Sequence, residues 1–358
     1  MPYTGFICEV TGERVTPDHC LSCARNGAPG CEIGSPAIIA GILRHQRPPD
    51  FALNAAQAAR PDLDLRWGRS VTELLGCARK AWLMATEQWF EKPSKLYWAY
   101  RGTLFHSEAE LYAGMDALAV SETRLMWFVK QAGKVVGLSG QPDLLLYDET
   151  LGGWKIIDYK TIKQVPGKIY RYTCTLANQI IYEMPFKVRG KQVNCPWCKT
   201  KHPVPSEDVT VEELPPQPRG SHTEQVQLYA LLVEKNAAAL AQKINGSNSL
   251  ILSGAKPPIP ENAPVVAAEL MYLDMSTQKR LAVEIWPREQ RIELLKARLA
   301  EHIRDEMPAI LNNPPDLWQC DYCPVKAVCA MYHGGPVGKE MLVAEAAEAE
   351  ALAEEVPA

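Results

Sequence analysis

The sequence predicts an α/β fold, on three observations. Leu- and Ile-rich runs of strand length flank a glycine turn between Gly140 and Thr161. Apolar residues recur at helical spacing after Ser70 and again between His222 and Lys243, and a third helix is expected from Pro287 to about Met307. Two more strand-length runs, Val265 to Met275 and Leu281 to Trp286, lie between the last two helices. Strand-period and helix-period segments in alternation describe a sheet covered by helices. With 358 residues, 47% of them hydrophobic, the chain can bury a large core and form one domain with additions, or two domains.

Residues 1–65 read as a cysteine-rich N-terminal module. Cys20 and Cys23 form a Cys-x-x-Cys pair, with Cys8 before it and Cys31 after, among short Gly- and Pro-containing loops. Four thiolates so spaced suit a tetrahedral zinc site in a module with little core of its own; free thiols are the alternative. Arg47-Pro-Pro-Asp50 and Arg60-Pro-Asp62 read as linker.

From Ser70 a helix is expected, capped by Ser70 or Thr72, with Val71, Leu74, Leu75, Ala78 and Trp82 on one face. Cys77 falls on this helix, where a buried thiol is the ordinary reading. A second helix is expected from about Arg101 through Tyr112. It carries His106, an imidazole that suits either a cation or a satisfied interior position. Val135 to Leu138 then predicts a strand adjacent to the hairpin that follows.

That hairpin carries the most informative residues. Asp143 opens its first strand, Gly152-Gly153 joins the two, and Asp158 closes the second. Antiparallel pairing brings both carboxylates to one end of the sheet, and Lys160, two residues beyond Asp158, projects from the same face. Two carboxylates and an ammonium suit a divalent cation and a water nucleophile. A solvated strand end is the plain alternative.

The formal charge of −4 conceals an uneven distribution. The acidic stretch from Lys339 to Ala358 has six Glu and one Lys, and 336–358 reads as a flexible tail. By contrast, Lys160 to His202 holds nine Lys or Arg against one Glu, interleaved with Tyr170, Tyr172, Tyr182, Phe186 and Trp197. Lys163, Lys168, Arg171, Lys187, Arg189 and Lys191 can attract DNA phosphates while the aromatics stack on bases; an ordinary solvated basic face is the alternative. Within this insertion, about 165–220, Cys195-Pro-Trp-Cys198 has His202 four residues on and Cys174 upstream, a spacing that suits a second zinc.

No apolar run approaches the length needed to span a bilayer, and the first residues do not read as a secretory leader, so a cytoplasmic location is expected. In that reducing setting, eleven cysteines argue for metal rather than disulfides. Gln225 and Tyr229 stand at i and i+4 on the helix after His222, where they face a nucleotide or a catalytic group, or only border the core.

Near the C-terminus stands Trp318-Gln-Cys320-Asp-Tyr-Cys323-Pro-Val-Lys-Ala-Val-Cys329, with Cys77 as a lone distant thiol. Together with Gly102-x-x-x-His106, Gly140-x-x-Asp143, Asp158-Tyr159-Lys160 and Gln225-x-x-x-Tyr229, this resembles the RecB-like branch of the PD-(D/E)XK nucleases. In particular it resembles the iron-sulfur members, the CRISPR-associated RecB-like exonucleases and the nuclease domains of AddB-type helicase-nucleases. The resemblance covers roughly Ser70 to Met331. It implies a restriction-endonuclease-like mixed central sheet flanked by helices, within a domain at 66–335.

The resemblance assigns His106, Asp143, Asp158 and the Tyr159 carbonyl to Mg²⁺ or Mn²⁺, and makes Lys160 the catalytic lysine. It sets Gln225 and Tyr229 at the border of the active site, in contact with DNA. Cys77, Cys320, Cys323 and Cys329 match the thiolates of a 4Fe-4S cluster joining an early helix to the C-terminal segment, with zinc as the alternative occupant. The implied activity is exonuclease action on single-stranded DNA ends. Its setting is CRISPR adaptation beside integrase proteins, or recombination and repair, where the chain could be the nuclease subunit of a helicase-nuclease complex. The chain has no Gly-x-x-x-x-Gly-Lys-Ser/Thr loop of its own. The reading from another class is a non-catalytic scaffold that binds DNA ends. The N-terminal module and the insertion exceed a compact family member.

Overall fold

The computed structural model describes residues 5–27, 29–31, 34–45, 68–97, 100, 102, 118–121, 123–185, 187–188, 192–204, 206–252, 254, 256–274, 276–310 and 318–333. His106, Arg189, Lys191, the linker motifs, the acidic tail and all but Gly102 of the helix expected after Arg101 lie outside them.

The chain begins with β1 (Gly5–Ile7) and β2 (Arg14–Val15), which pair antiparallel, then α1 (Pro17–Arg25) and α2 (Pro36–His45). Thr16 accepts the His19 N–H at 3.1 Å and Pro17 opens the first turn, which fixes where α1 starts. Next come β3 (Arg69–Ser70), α3 (Val71–Leu74), α4 (Ala78–Thr86) and β4 (Phe90–Glu91). β4 lies parallel to β1, and Leu96 joins Phe6, Ala24, Ile39 and Ile42 in a small core. The N-terminal sheet and core thus draw on residues 90–96.

The single helix expected from Ser70 is two. Ser70 caps α3 through a capping box, its Oγ accepting the Glu73 N–H at 3.2 Å while Glu73 Oε2 accepts the Ser70 N–H at 2.8 Å. The helix stops after one turn at Leu75-Gly76, where glycine disfavours continuation. Cys77 then caps α4, its Sγ accepting the Lys80 N–H at 3.4 Å. It therefore stands at a helix start and not within one.

The middle of the chain supplies β5 (Ala119–Ser121), β6 (Leu125–Gln131), β7 (Lys134–Gly140), β8 (Leu144–Asp148) and β9 (Gly153–Thr161). The insertion follows with β10 (Ile169–Cys174), β11 (Gln179–Met184), β12 (Gln192–Asn194), β13 (Lys201–Pro203) and β14 (Val209–Leu214). After it come α5 (Gly220–Lys235), α6 (Ala237–Asn245), α7 (Ser249–Leu252), β15 (Val265–Leu273), β16 (Gln278–Val283), α8 (Arg288–His302), α9 (Trp318–Asp321) and α10 (Lys326–His333).

The main sheet is mixed, in the order β16-β15-β9-β8-β5, with β9 and β15 parallel and the other neighbours antiparallel. β7 does not adjoin β8 as expected; it pairs with β6 and β3 in a separate three-stranded sheet. Pro142, which has no N–H to give a ladder, stands in the crossing between the two sheets. α5 packs against both, and Gln225 to Val233 are buried without interruption, as a helix enclosed on all sides must be.

Other boundaries shift for local reasons. The helix expected to reach Lys243 breaks at Asn236, whose side-chain amide donates to Leu232 O at 2.8 Å and to Met126 O at 3.1 Å. β15 ends at Leu273 in a turn in which Asp274 accepts the Ser276 and Thr277 N–H groups at 2.8 and 2.7 Å, and β16 runs from Gln278 to Val283, starting before Leu281 and ending short of Trp286. α8 starts after Pro287 as expected and ends at His302, short of Met307. Among the described residues no helix is long and apolar enough to cross a membrane.

Candidate active site

The hairpin that carries the site is built locally. Asp148 Oδ1 accepts the Thr150 and Leu151 N–H groups, each at 2.9 Å, and Gly152 takes the positive φ of 68° that closes the turn. The turn thus covers 149–152. Gly153 opens β9, where a Cβ would lie 2.6 Å from Pro264 O and 2.4 Å from Val266 Cγ1.

The register pairs Leu145 with Ile156 and Leu144 with Ile157. One step further sets Asp143 opposite Asp158, and residues so opposed have Cβ atoms about 4.5–5.5 Å apart. Alternation puts these carboxylates on the face of Leu145, Trp154 and Ile156, which is buried in the core beneath α5. The acids therefore continue the core face, and they are only 4% and 1% exposed.

Polar contacts fix the group. Asp143 Oδ2 accepts the Tyr159 N–H at 2.6 Å. Asp158 Oδ2 lies 2.5 Å from Lys160 Nζ, and the same ammonium donates to Gln225 Oε1 at 2.9 Å. Gln225 Nε2 in turn donates to the Tyr229 hydroxyl at 2.9 Å and reaches Thr72 Oγ1 at 3.5 Å. Burial, with Asp158 and Asp143 near, raises the Tyr229 hydroxyl far above its ordinary range and keeps it protonated.

Five of the residues singled out in the sequence, Asp143, Asp158, Lys160, Gln225 and Tyr229, thus form one connected site. Two buried carboxylates, which offer oxygen ligands, stand beside one ammonium that pairs with Asp158. That charge balance and donor set fit a divalent Mg²⁺ or Mn²⁺.

A model of the PD-(D/E)XK nuclease superfamily matches residues 198–330. This is a little over a third of the chain; it contains Gln225, Tyr229 and the three C-terminal cysteines, while Asp143, Asp158 and Lys160 lie outside it. The mixed α/β architecture is consistent with that superfamily's fold. A solved protein described as "Crystal structure of SSO0001" aligns at 14% identity and a TM-score of 0.42, over 82% of this chain and 93% of that one. No curated protein matches.

The distant thiols also converge. Cys77, Cys320, Cys323 and Cys329 line one cavity together with Arg79, Lys80 and Lys326. Burial raises the thiols of Cys320 and Cys329 and pushes Cys323 up to about 11. In the N-terminal module, burial first and then the nearness of Cys31, Cys23 and Cys8 push Cys20 up to about 11. Among the described residues, the one group of three or more Cys, His, Asp or Glu whose ligand atoms all lie within 4.8 Å of one another is Cys174, Cys195, Cys198 and His202. A hydrogen bond from Thr200 leads in lowering the Cys198 thiol to about 6, while burial raises Cys174.

Of the basic residues expected to meet DNA, Lys163 and Lys187 are exposed. Lys168 pairs with Glu213, and Arg171 pairs with Glu183 at 2.7 Å and Glu212 at 3.4 Å.

Three residues near the site were missed in the sequence. Thr72 turns toward Gln225 and leaves the capping to Ser70. Tyr272 is in register with Lys160 on β15, and its hydroxyl lies 3.0 Å from His222 Nδ1. His222 is pushed down to about 3 by burial, with the Lys160 and Arg219 cations adding, so its ring is neutral. The i, i+3, i+7 spacing of His222, Gln225 and Tyr229 was a usable signal. Tyr272 gave none, because only the strand pairing brings it there.

Proposed function

We propose that this chain is a metal-dependent DNA nuclease that hydrolyses phosphodiesters, acting as an exonuclease on single-stranded ends. The observation that carries this reading is the connected set of Asp158, Lys160, Gln225 and Tyr229, with Asp143 opposite Asp158. In it, Asp143 and Asp158, joined by the Tyr159 carbonyl and His106 in the resembled family, would hold Mg²⁺ or Mn²⁺. The ion supplies a Lewis acid and lowers the pKa of bound water. Lys160, held from two sides by Asp158 and Gln225, orients the attacking water and offsets charge developing on the phosphoryl oxygens. Gln225 and Tyr229 are the positioning residues behind it.

In the same reading, Cys77, Cys320, Cys323 and Cys329 bind a 4Fe-4S cluster. The four thiols share one cavity, as the ligands of a single cluster must. Arg79, Lys80 and Lys326 suit a cluster that is negative overall. The setting is CRISPR adaptation beside integrase proteins, or recombination and repair beside a helicase, in the cytoplasm.

The test uses anaerobically purified full chain and end-labelled single-stranded DNA, with Mn²⁺ or with chelator. Progressive shortening with Mn²⁺, lost in Lys160→Ala and absent on circular single strands, is the expected result. A gel shift without shortening would replace the enzyme with a DNA-end-binding scaffold, and cleavage retained by Lys160→Ala would remove Lys160 from the chemistry.

A further inference from the structure

The insertion between β9 and α5 is two separate pieces of sheet. β11, β10 and β14 form one, and the hairpin of β12 and β13 forms the other. Their shared core is small: Tyr172, Val193, Val204 and Val209 are its buried residues. So little apolar surface rarely holds a module of this size without a staple.

Four ligand side chains meet at the joint between the pieces. Cys174 ends β10. Cys195 and Cys198 lie in the turn of the hairpin, where Lys199 N–H donates to Cys195 O at 3.0 Å, Cys195 N–H donates to Thr200 O at 3.0 Å and Lys199 takes a φ of 58°. His202 sits on β13 and is 3% exposed. Cys174 Sγ lies 3.9 Å from Cys198 Sγ and 3.8 Å from His202 Nε2, and Cys198 Sγ lies 2.9 Å from the same nitrogen. A tetrahedron with Zn–S near 2.3 Å and Zn–N near 2.0 Å has edges of about 3.5–3.8 Å.

The orientation of His202 is the second argument. It turns Nε2 to the thiols, and its Nδ1 lies 3.5 Å from Asp208 Oδ2. A carboxylate on the far nitrogen of an imidazole fixes ring and tautomer for a metal, a recurrent outer-shell arrangement in zinc sites. A thiol, imidazole and carboxylate in line can also serve a nucleophile, but Cys174 and Cys195 are buried beside them, and a nucleophile has no use for two more thiols. Three soft thiolates and one imidazole in a closed tetrahedral group select zinc.

We propose that Cys174, Cys195, Cys198 and His202 bind a structural Zn²⁺, with Asp208 supporting His202, and that this ion pins the hairpin of β12 and β13 to the three-stranded sheet. The proposal is independent of the nuclease reading, because its readouts are metal content and folding of the insertion, not cleavage.

The test compares the full-length protein, purified anaerobically, with His202→Ala and His202→Cys. Elemental analysis should show that His202→Ala loses one zinc per chain while His202→Cys keeps it, with the iron content of all three equal. Trypsin should cut within 165–220 in His202→Ala or after zinc is stripped, and far more slowly in the parent and His202→Cys. If His202→Ala proves insoluble, iodoacetamide labelling of the parent decides: protection of Cys198 that chelation removes supports the site. The proposal is overturned by zinc content unchanged in His202→Ala, by iron in place of zinc at this group, or by rapid Cys198 alkylation in the zinc-replete parent.

Discussion

The Lys160 ammonium donates to Gln225 Oε1 across 65 residues of sequence, and that one bond ties the central strand of the main sheet to the buried helix above it. Because Asp158 holds the same ammonium at 2.5 Å, the lysine is fixed from both sides. Removing Gln225 frees one side only. Gln225→Ala should bind DNA as the parent does and lower kcat by about 10-fold, less than the ~10²–10³ expected for losing the cation itself. Equal losses for Gln225→Ala and Lys160→Ala, in single-turnover cleavage, would deny Gln225 a role limited to positioning.

Lys160 also neutralises a buried carboxylate. In Lys160→Ala, Asp158 loses the ammonium it pairs with while Asp143 stands opposite, and breaking a buried pair costs about 3–5 kcal/mol. A divalent ion seated between them would offset much of this by mass action. Denaturant unfolding of Lys160→Ala should therefore show a large loss of stability with chelator and a smaller one with Mn²⁺. A loss independent of Mn²⁺ would mean that the two acids do not share an ion.

Gly140 explains why the chain needs no side chain at the head of the Gly-x-x-Asp segment. A Cβ there would lie 2.5 Å from Leu232 Cδ1 and 2.9 Å from Tyr229 Cε1, inside the packed face of α5. Gly140→Ala should lower stability by about 1–3 kcal/mol through overpacking and displace Tyr229 from Gln225. Gly167→Ala, with nothing within 4 Å of its Cβ, is the control, and unfolding midpoints that match between the two would refute the steric account.

What the sequence disclosed was local. The alternation along 143–161 placed both acids and the lysine on one face, since period and turn lie within a single hairpin. Partner choice between strands is not local, so nothing in Val135 to Leu138 announced that β7 would leave β8 for β6. The charge pairing within the basic insertion was not legible for a related reason. The window of charge ended at His202, and the strand that returns Glu212 and Glu213 to Arg171 and Lys168 comes later in the chain. The meeting of Cys320, Cys323 and Cys329 with Cys77 came from the resemblance alone, because no local pattern links positions so far apart; only the long return of the C-terminus brings them to one cavity.

Acid sensitivity follows from two histidines, His302 buried and His222 half-buried. Burial, with Arg69 and Arg298 near, pushes His302 down to about 4 from an ordinary 6.5, and His222 falls to about 3. Between those values and 6.5 the unfolded chain binds more protons than the folded one. Stability is thus complete above about pH 6.5 and is lost as pH falls toward 4. For His302, 1% exposed, the full shift is worth on the order of 3 kcal/mol. His302→Gln should flatten the curve of unfolding free energy between about pH 7 and pH 5; a parallel curve would remove His302 from the account.

The proposed cluster would tie the start of α4 to the C-terminal segment by metal–thiolate bonds, across a stretch of chain as long as the one its neighbouring hydrogen bonds span. Cys77 and Cys320 are 243 positions apart, and restraining a chain of that length is worth about 5 kcal/mol in the entropic account of cross-links. The same parts of the chain also meet in a small apolar core of Leu83, Trp89 and Val325, and through polar links: Tyr332 donates to Glu87 Oε1 at 2.7 Å, and Arg79 donates to Pro308 O at 3.2 Å. Both are single hydrogen bonds, and Tyr332 is exposed to competing water. If the cluster is present, its oxidative loss, or Cys323→Ser, should bleach its visible absorption and speed amide exchange through 318–333 and the start of α4. Exchange in β8 and β9 should hold, because their register rests on core residues remote from the cavity. Loosening of the hairpin and the C-terminal segment together would show that the cluster supports the catalytic face itself, and uniform protection everywhere would leave it without an architectural part.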